Sequence, residues 1–214
     1  MIAGLLRLVF SACLMAVIFV AWTVSARAAP LPRASYASVG PATSVPYGWL
    51  DFCQRERSEC SGSVLPALDV NLTQATFSKL DHINRMVNGA IEPVTNLDHW
   101  GTMLDHWDYP LDGKGDCKVF ALYKRKLLMD MGFPRQALLM TIVRDLNDEG
   151  HAILTVKTNR GEFVLDNLSD EIRPWDSTGY RFIKRQSQED PNVWVALDPD
   201  AATQVQTAAQ KPTP

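Results

Sequence analysis

The spacing of apolar residues changes once along the chain, near Pro134, and this change restricts the fold class more than any other feature. Before it, apolar residues recur at helical spacing over residues 73–91 and again from the turn at 113–116 to Met131. After it, short apolar or β-branched runs alternate with turn residues, over 137–144, 151–158, 162–168, 181–186 and 193–197. Helices followed by antiparallel strands predict an α+β fold.

The N-terminus has the features of a secretory signal peptide. Arg7 precedes an apolar run over residues 8–24, which ends in the small-residue motif Ala26-Arg27-Ala28. Cleavage after Ala28 would remove residues 1–28 and place the protein in the periplasm or outside the cell. The alternative is an uncleaved N-terminal helix that anchors the chain in the membrane, since the apolar run is almost long enough to span one.

The remaining chain reads as one soluble domain with a tail at each end. Residues 29–46 are rich in Ala, Pro and Ser and predict a flexible segment, residues 47–197 form the domain, and residues 198–214 predict a disordered tail. Without residues 1–28 the formal charge is 19 minus 24, about −5. This mild acidity offers no basic face for nucleic acid.

The cysteines are not equivalent. Signal cleavage would remove Cys13 and leave Cys53, Cys60 and Cys117 in an oxidising compartment. Cys53 and Cys60 are close in sequence and are the natural disulfide pair, which leaves Cys117 without a partner. An unpaired thiol in an exported protein is either buried as a small apolar residue or used for chemistry.

The neighbours of Cys117 favour chemistry. It follows Gly115-Asp116 at the predicted start of the second helix, where unpaired backbone N–H groups and the helix dipole favour the thiolate over the thiol. Its own backbone N–H is the simplest candidate for an oxyanion donor. Two later residues, His151 and Asp166, complete the set that a cysteine nucleophile needs: a base and a group that orients the base.

Strand geometry places His151 and Asp166 together. A two-residue loop at Asn159-Arg160 would put Thr158 opposite Gly161 and would therefore bring His151 and Asp166 to the same face as diagonal neighbours. A register shift of one residue would separate them. The sequence thus predicts Cys117 as nucleophile, His151 as base and Asp166 as orienter.

These motifs carry a family resemblance. Gly115-Asp116-Cys117, Gly150-His151-Ala152 and the run at 164–168 (VLDNL) resemble the bacterial transglutaminase-like cysteine proteinases, whose best-known members are the periplasmic LapG-type proteases. The similarity covers most of residues 51–195. It implies a papain-like or transglutaminase-like core, in which the helix that begins at the nucleophile packs on the antiparallel sheet that carries the histidine and the aspartate.

The chain departs from the family motif immediately after the nucleophile. The family's pattern continues Gly-Asp-Cys-Glu-Asp, and the resemblance implies that the first of those acids, with the aspartate before the cysteine, binds calcium. Here only Asp116 matches, because Lys118 and Val119 follow Cys117. A lysine cannot ligate calcium, so calcium is doubtful as a cofactor; Asp116 is also a good helix N-cap, and Lys118 is a cation beside the thiolate.

Other residues give weaker signals. The basic run at 124–126 is interpreted as the solvated face of the second helix, and Trp107 could line a substrate groove. His82, His99 and His106 do not have the spacing of a zinc site.

The resulting prediction is a periplasmic cysteine endopeptidase with a Cys117–His151–Asp166 triad. The resemblance implies a protein substrate such as a surface adhesin, and a possible partner in an inner-membrane cyclic-di-GMP receptor. The same triad would also serve a transglutaminase-type acyltransferase or a cell-wall peptidase. A catalytically inactive binding module is the non-enzyme alternative.

Overall fold

The computed structural model describes residues 30–197. The predicted signal peptide and the predicted C-terminal tail lie outside this range. The helices are α1 (Tyr47–Arg55), α2 (Arg57–Cys60), α3 (Gln74–Ala90), α4 (Asn96–Trp100) and α5 (Cys117–Asp130). The strands are β1 (Ala42–Thr43), β2 (Glu92–Pro93), β3 (Lys114–Gly115), β4 (Leu138–Arg144), β5 (Gly150–Thr158), β6 (Gly161–Asp166), β7 (Ser169–Pro174), β8 (Arg181–Gln186) and β9 (Trp194–Ala196).

One antiparallel sheet organises the fold. Its strand order is β1-β9-β8-β4-β5-β6-β7, and all neighbouring pairs in it are antiparallel. Helix α5 packs against β5, and α3 packs against both α5 and β7. Apolar side chains from both helices and from the sheet form the main core, among them Leu80, Val87, Phe120, Leu128, Met140, Leu154 and Phe163. The predicted α+β class is therefore confirmed.

The two long helices and the five strands that the periodicity predicts are all present, with boundaries within a few residues. The strand β7 was not predicted, because its sequence is mostly polar and only Ile172 in it is buried. It is an edge strand, and it is held in the sheet by backbone pairing with β6 and by this one buried side chain. The short helices α1, α2 and α4 were also missed.

The N-terminal segment makes more contacts than its composition suggests. The segment predicted as flexible, 29–46, is tied to the sheet over much of its described part: the Ala34 N–H donates to the Arg160 carbonyl, the Tyr36 hydroxyl donates to the Thr158 carbonyl, and β1 pairs with β9. Its composition favours flexibility because small residues and prolines add little to a core. Backbone pairing does not depend on side-chain size, and composition therefore does not report it.

One expectation about exposure is wrong, and it concerns the basic run of α5. Lys124 and Arg125 are buried rather than solvated. The Arg125 guanidinium donates to Glu59 at 2.8 Å and lies over the Trp49 ring. Helix α5 is thus covered by the N-terminal helices as well as by α3 and the sheet, so its polar side is also an interior surface.

The predicted disulfide is present. Cys53 and Cys60 are bonded, with Cα atoms 5.6 Å apart, and the bond links α1 to α2. Among the described residues the free cysteine is Cys117. Within residues 30–197 no helix has the length and apolar character needed to cross a membrane.

Candidate active site

Cys117 is the first residue of α5. Asp116 is the N-cap, as predicted, and its Oδ1 accepts a hydrogen bond from the Lys118 backbone N–H at 3.1 Å. The residue before Asp116 is Gly115, and a larger residue would clash there because a Cβ would lie 2.4 Å from the Val119 side chain. The thiol is half-buried, at the helix end where unpaired N–H groups favour an anion.

His151 and Asp166 meet on the β5–β6 hairpin. Thr158 pairs with Gly161 and Leu154 with Leu165, which is the register that a two-residue loop predicts. The His151 Nε2 lies 2.8 Å from the Asp166 Oδ1, and both side chains are buried. Since Asp166 occupies Nε2, the other ring nitrogen, Nδ1, remains for the thiol.

The electrostatics of this pair favour a protonated imidazole. Burial lowers the pKa of His151, but hydrogen bonds to Asp166 and to Cys117 outweigh burial and raise it to about 10. Burial raises the pKa of Asp166, and the hydrogen bond with His151 more than offsets this, so the pKa of the carboxyl falls below its ordinary value. At neutral pH the pair is therefore imidazolium and carboxylate, and an imidazolium beside Cys117 stabilises a thiolate.

Tyr180 completes the shell around Asp166. Its hydroxyl donates to the Asp166 Oδ2 at 2.7 Å, and its ring stands edge-on to the His151 ring with centroids 5.9 Å apart. The Leu168 backbone N–H donates to the Asp166 Oδ1 at 3.1 Å. Tyr180 precedes β8 and is separated from Asp166 by the strand β7, so the register of the β5–β6 hairpin gave no indication of this contact.

Three side chains, two from α3 and one from α5, hold the turn that follows Asp166. The Asn88 amide donates to the Asp166 carbonyl at 3.0 Å, and the Asn84 amide donates to the Ser169 carbonyl at 2.9 Å. The buried Lys124 ammonium donates to the Asn84 Oδ1 at 2.7 Å. Burial disfavours the charged form of Lys124 and lowers its pKa to about 7. The sequence analysis missed Lys124, which it assigned to the solvated face.

Cys117 and His151 line one open cleft of about 210 Å³. The rest of its lining comes from Asp105, Trp107, Lys118, Ile142, Gly150 and Ala152. Trp107 therefore borders the cleft as the sequence suggested, although its ring is fully buried and forms a wall rather than an exposed platform. We call residues 105–107 the cleft wall.

Lys118 joins this wall to α5. Its ammonium contacts the Asp116 Oδ2 and lies 3.2 Å from the Asp105 Oδ1, while the Trp107 Nε1 donates to the Asp105 Oδ2 at 2.9 Å. The carboxylate of Asp116, the predicted calcium ligand, is thus engaged by Lys118 through both of its oxygens. Within the described range there is no group of three or more His, Cys, Asp or Glu side chains suited to a metal ion. Because a lysine ammonium already occupies Asp116, this carboxylate does not fit a calcium site in the arrangement described.

An α+β fold in which a cysteine at a helix N-terminus faces a histidine–aspartate pair on an antiparallel sheet has a transglutaminase-like core. The chain belongs to the bacterial transglutaminase-like cysteine proteinase family (BTLCP), whose sequence model matches residues 39–202.

Similar solved structures include three of LapG from Legionella pneumophila. The calcium-bound form is 23% identical over 57% of this chain and 70% of its own, with a TM-score of 0.49. A second LapG structure is 24% identical over 62% and 75%, with a TM-score of 0.48. The EGTA-treated form is 25% identical over 56% and 67%, with a TM-score of 0.47. No protein with a curated description matches the chain.

Proposed function

We propose that the protein is a periplasmic cysteine endopeptidase that cleaves a protein substrate through Cys117, His151 and Asp166. One observation carries the proposal: the half-buried thiol at the start of α5 shares a cleft with an imidazole whose far nitrogen is held by a buried carboxylate at 2.8 Å. Family membership supports the same reaction class.

The geometry supports an acyl-enzyme mechanism. The Cys117 thiolate attacks the substrate carbonyl carbon, and the C=O electron pair moves to oxygen, facing the Cys117 backbone N–H. The His151 imidazolium gives its proton to the leaving amine as the C–N bond breaks. His151 then accepts a proton from the water that attacks the thioester, and the C–S bond breaks to release the Cys117 thiolate, which restores the thiolate–imidazolium pair. Asp166 keeps the ring oriented throughout.

The substrate and the regulator are also part of the proposal. Resemblance to the LapG-type enzymes supports a surface adhesin as substrate and an inner-membrane cyclic-di-GMP receptor as the partner that sequesters the protease. The predicted export signal is consistent with both, because each would be met in the periplasm. To identify the substrate, envelope fractions would be treated with the wild-type protein or with Cys117→Ala. Protein N-termini that appear only with the wild type would mark the cleavage sites.

The first test concerns the thiol itself. Iodoacetamide labelling of Cys117 would be followed by intact mass and peptide mapping from pH 4 to 9, with His151→Ala beside the wild type. We expect rapid labelling well below the free-thiol pKa of about 8.5, and a slower rate in the variant. Labelling that rises only near that free value in both proteins would contradict the proposal and favour a binding module with an inert cysteine.

Turnover separates the remaining alternatives. Cys117→Ala should fold normally and lose all activity, whereas in a binding module the substitution would leave function intact. Incorporation of a labelled amine into a test protein would indicate acyl transfer instead of hydrolysis. Release of peptides from purified peptidoglycan would indicate a cell-wall substrate.

A further inference from the structure

Two carboxylates from different parts of the chain meet beside the nucleophile. Asp116 caps α5, and Asp105 belongs to the cleft wall, which lies before β3 in the chain. Left alone, the two negative charges would repel each other and would disfavour a thiolate at Cys117. The arrangement therefore requires a cation.

The Lys118 ammonium is that cation. It contacts the Asp116 Oδ2 and lies 3.2 Å from the Asp105 Oδ1, and its side chain is only 15% exposed. Two carboxylates within ion-pair distance stabilise the charged form of the ammonium. The ammonium thus stays charged at neutral pH.

The wall is also held from the side of α1, by contacts separate from the one that Lys118 makes. The Arg55 guanidinium donates to the Trp107 carbonyl and pairs with Asp108 at 3.1 Å, and Gly48 packs against the Trp107 ring. These contacts fix the wall to α1. Lys118 makes the contact that links Asp105 to α5, the helix that begins at the nucleophile.

We propose that Lys118 is a positioning residue that serves as the resident cation of the cleft: it fastens the wall to the N-terminus of α5 and makes the site independent of a divalent metal ion. The inference deepens the proposed function, since it concerns the cleft of the same nucleophile. The single charge of Lys118 neutralises Asp105 and Asp116 without a metal ion.

The first experiment measures thermal unfolding and calcium binding, neither of which needs a substrate. For the wild type we expect the unfolding midpoint in 1 mM calcium to lie within about 1 °C of that in 1 mM EGTA, and calorimetry to detect no micromolar binding. Lys118→Met should lower the midpoint by about 2–6 °C, because Asp105 and Asp116 lose the cation that they share, and calcium should not restore it. Lys118→Arg should retain most of the wild-type stability because it keeps the charge.

Lys118→Glu provides the sharper test. With three carboxylates around one point, this variant should be unstable in EGTA and should regain several degrees in calcium, since a hard divalent cation prefers several oxygen ligands. Lys114→Glu is the matched control, because Lys114 is an exposed residue of β3 beside α5, and it should show no calcium response.

Thiol labelling adds a readout that general stability would not change. At pH 7 and a temperature where all variants are folded, Lys118→Met should label several-fold more slowly than the wild type, and Lys118→Arg should recover the rate. Micromolar calcium binding by the wild type would overturn the inference. So would a Lys118→Met variant equal to the wild type in both stability and labelling, or a Lys118→Glu variant that does not respond to calcium. None of these outcomes depends on whether the protein proves to be a protease.

Discussion

The sheet side of the cleft and the wall side are held in place by different interactions. On the sheet side, His151 and Asp166 are buried and lie on consecutive strands; His151 pairs with Val143 of β4, and Asp166 pairs with Ser169 of β7. On the wall side, Asp105 belongs to an irregular stretch between α4 and β3, its side chain is 40% exposed, and charged contacts hold it. A paired hairpin fixes side-chain geometry through many backbone bonds, whereas exposed ion pairs are weakened by salt. We therefore expect the reacting groups to be rigid and the wall to be the adjustable part.

The largest effect should come from Asp166→Asn on the sheet side. An amide cannot hold the imidazolium in the reactive orientation, so we expect kcat to fall by about 10⁴ while KM and the fold are retained. Steady-state kinetics and the unfolding midpoint would be measured together. Glu171→Gln, an exposed carboxylate on β7, is the control that should keep wild-type rates. Equal activity of Asp166→Asn and the wild type would remove Asp166 from the triad.

A smaller effect should come from Gly48→Ala, which disturbs the wall. A Cβ at Gly48 would lie 2.1 Å from the Trp107 ring, so the ring must move and we expect destabilisation of about 1–3 kcal/mol. If the wall shapes the substrate groove, KM should rise more than kcat falls. Gly89→Ala is the matched control: it lies in α3 with no atom near the new Cβ and should be neutral or stabilising. Gly48→Ala with unchanged unfolding and KM would show that the wall is more tolerant than its packing indicates.

The smallest effect should come from Tyr180→Phe. Loss of the hydroxyl removes one of the hydrogen bonds to Asp166, which we expect to cost about 1 kcal/mol, or about fivefold in kcat. Tyr36→Phe also loses a hydrogen bond, to the Thr158 carbonyl, but away from the cleft, and should leave kcat unchanged. If both variants lost the same fraction of activity, the effect of Tyr180 would be one of general stability.

The same division separates what the sequence could predict from what it could not. The His151–Asp166 contact was predictable because a two-residue loop fixes the register of a hairpin, and register fixes which side chains share a face. The position of Cys117 was predictable because its helix start is a local signal. Both depend on residues that are close in sequence.

The missed features depend on packing between elements that no single hairpin or helix joins. Lys124 and Arg125 follow an amphipathic pattern that suggests exposure, and they are buried because α3 and the N-terminal helices cover that side of α5. Tyr180 reaches Asp166 only because the chain returns after β7 to the opposite half of the sheet. The partner of Lys118 in the wall lies in a stretch without periodicity, so no pattern located it.

The proposed nucleophile, base and orienter all come from residues 117–166, which form one helix followed by successive hairpins. His151 and Asp166 are 15 residues apart, whereas Arg125 reaches Glu59 across 66 residues. Contacts between residues close in sequence have a lower loop-closure entropy cost and tend to form earlier during folding. We therefore expect the reactive half of the molecule to assemble first and the disulfide-linked helices α1 and α2 to dock onto the back of α5 afterwards. A folding chain would then present a reactive thiol before its N-terminal region is in place.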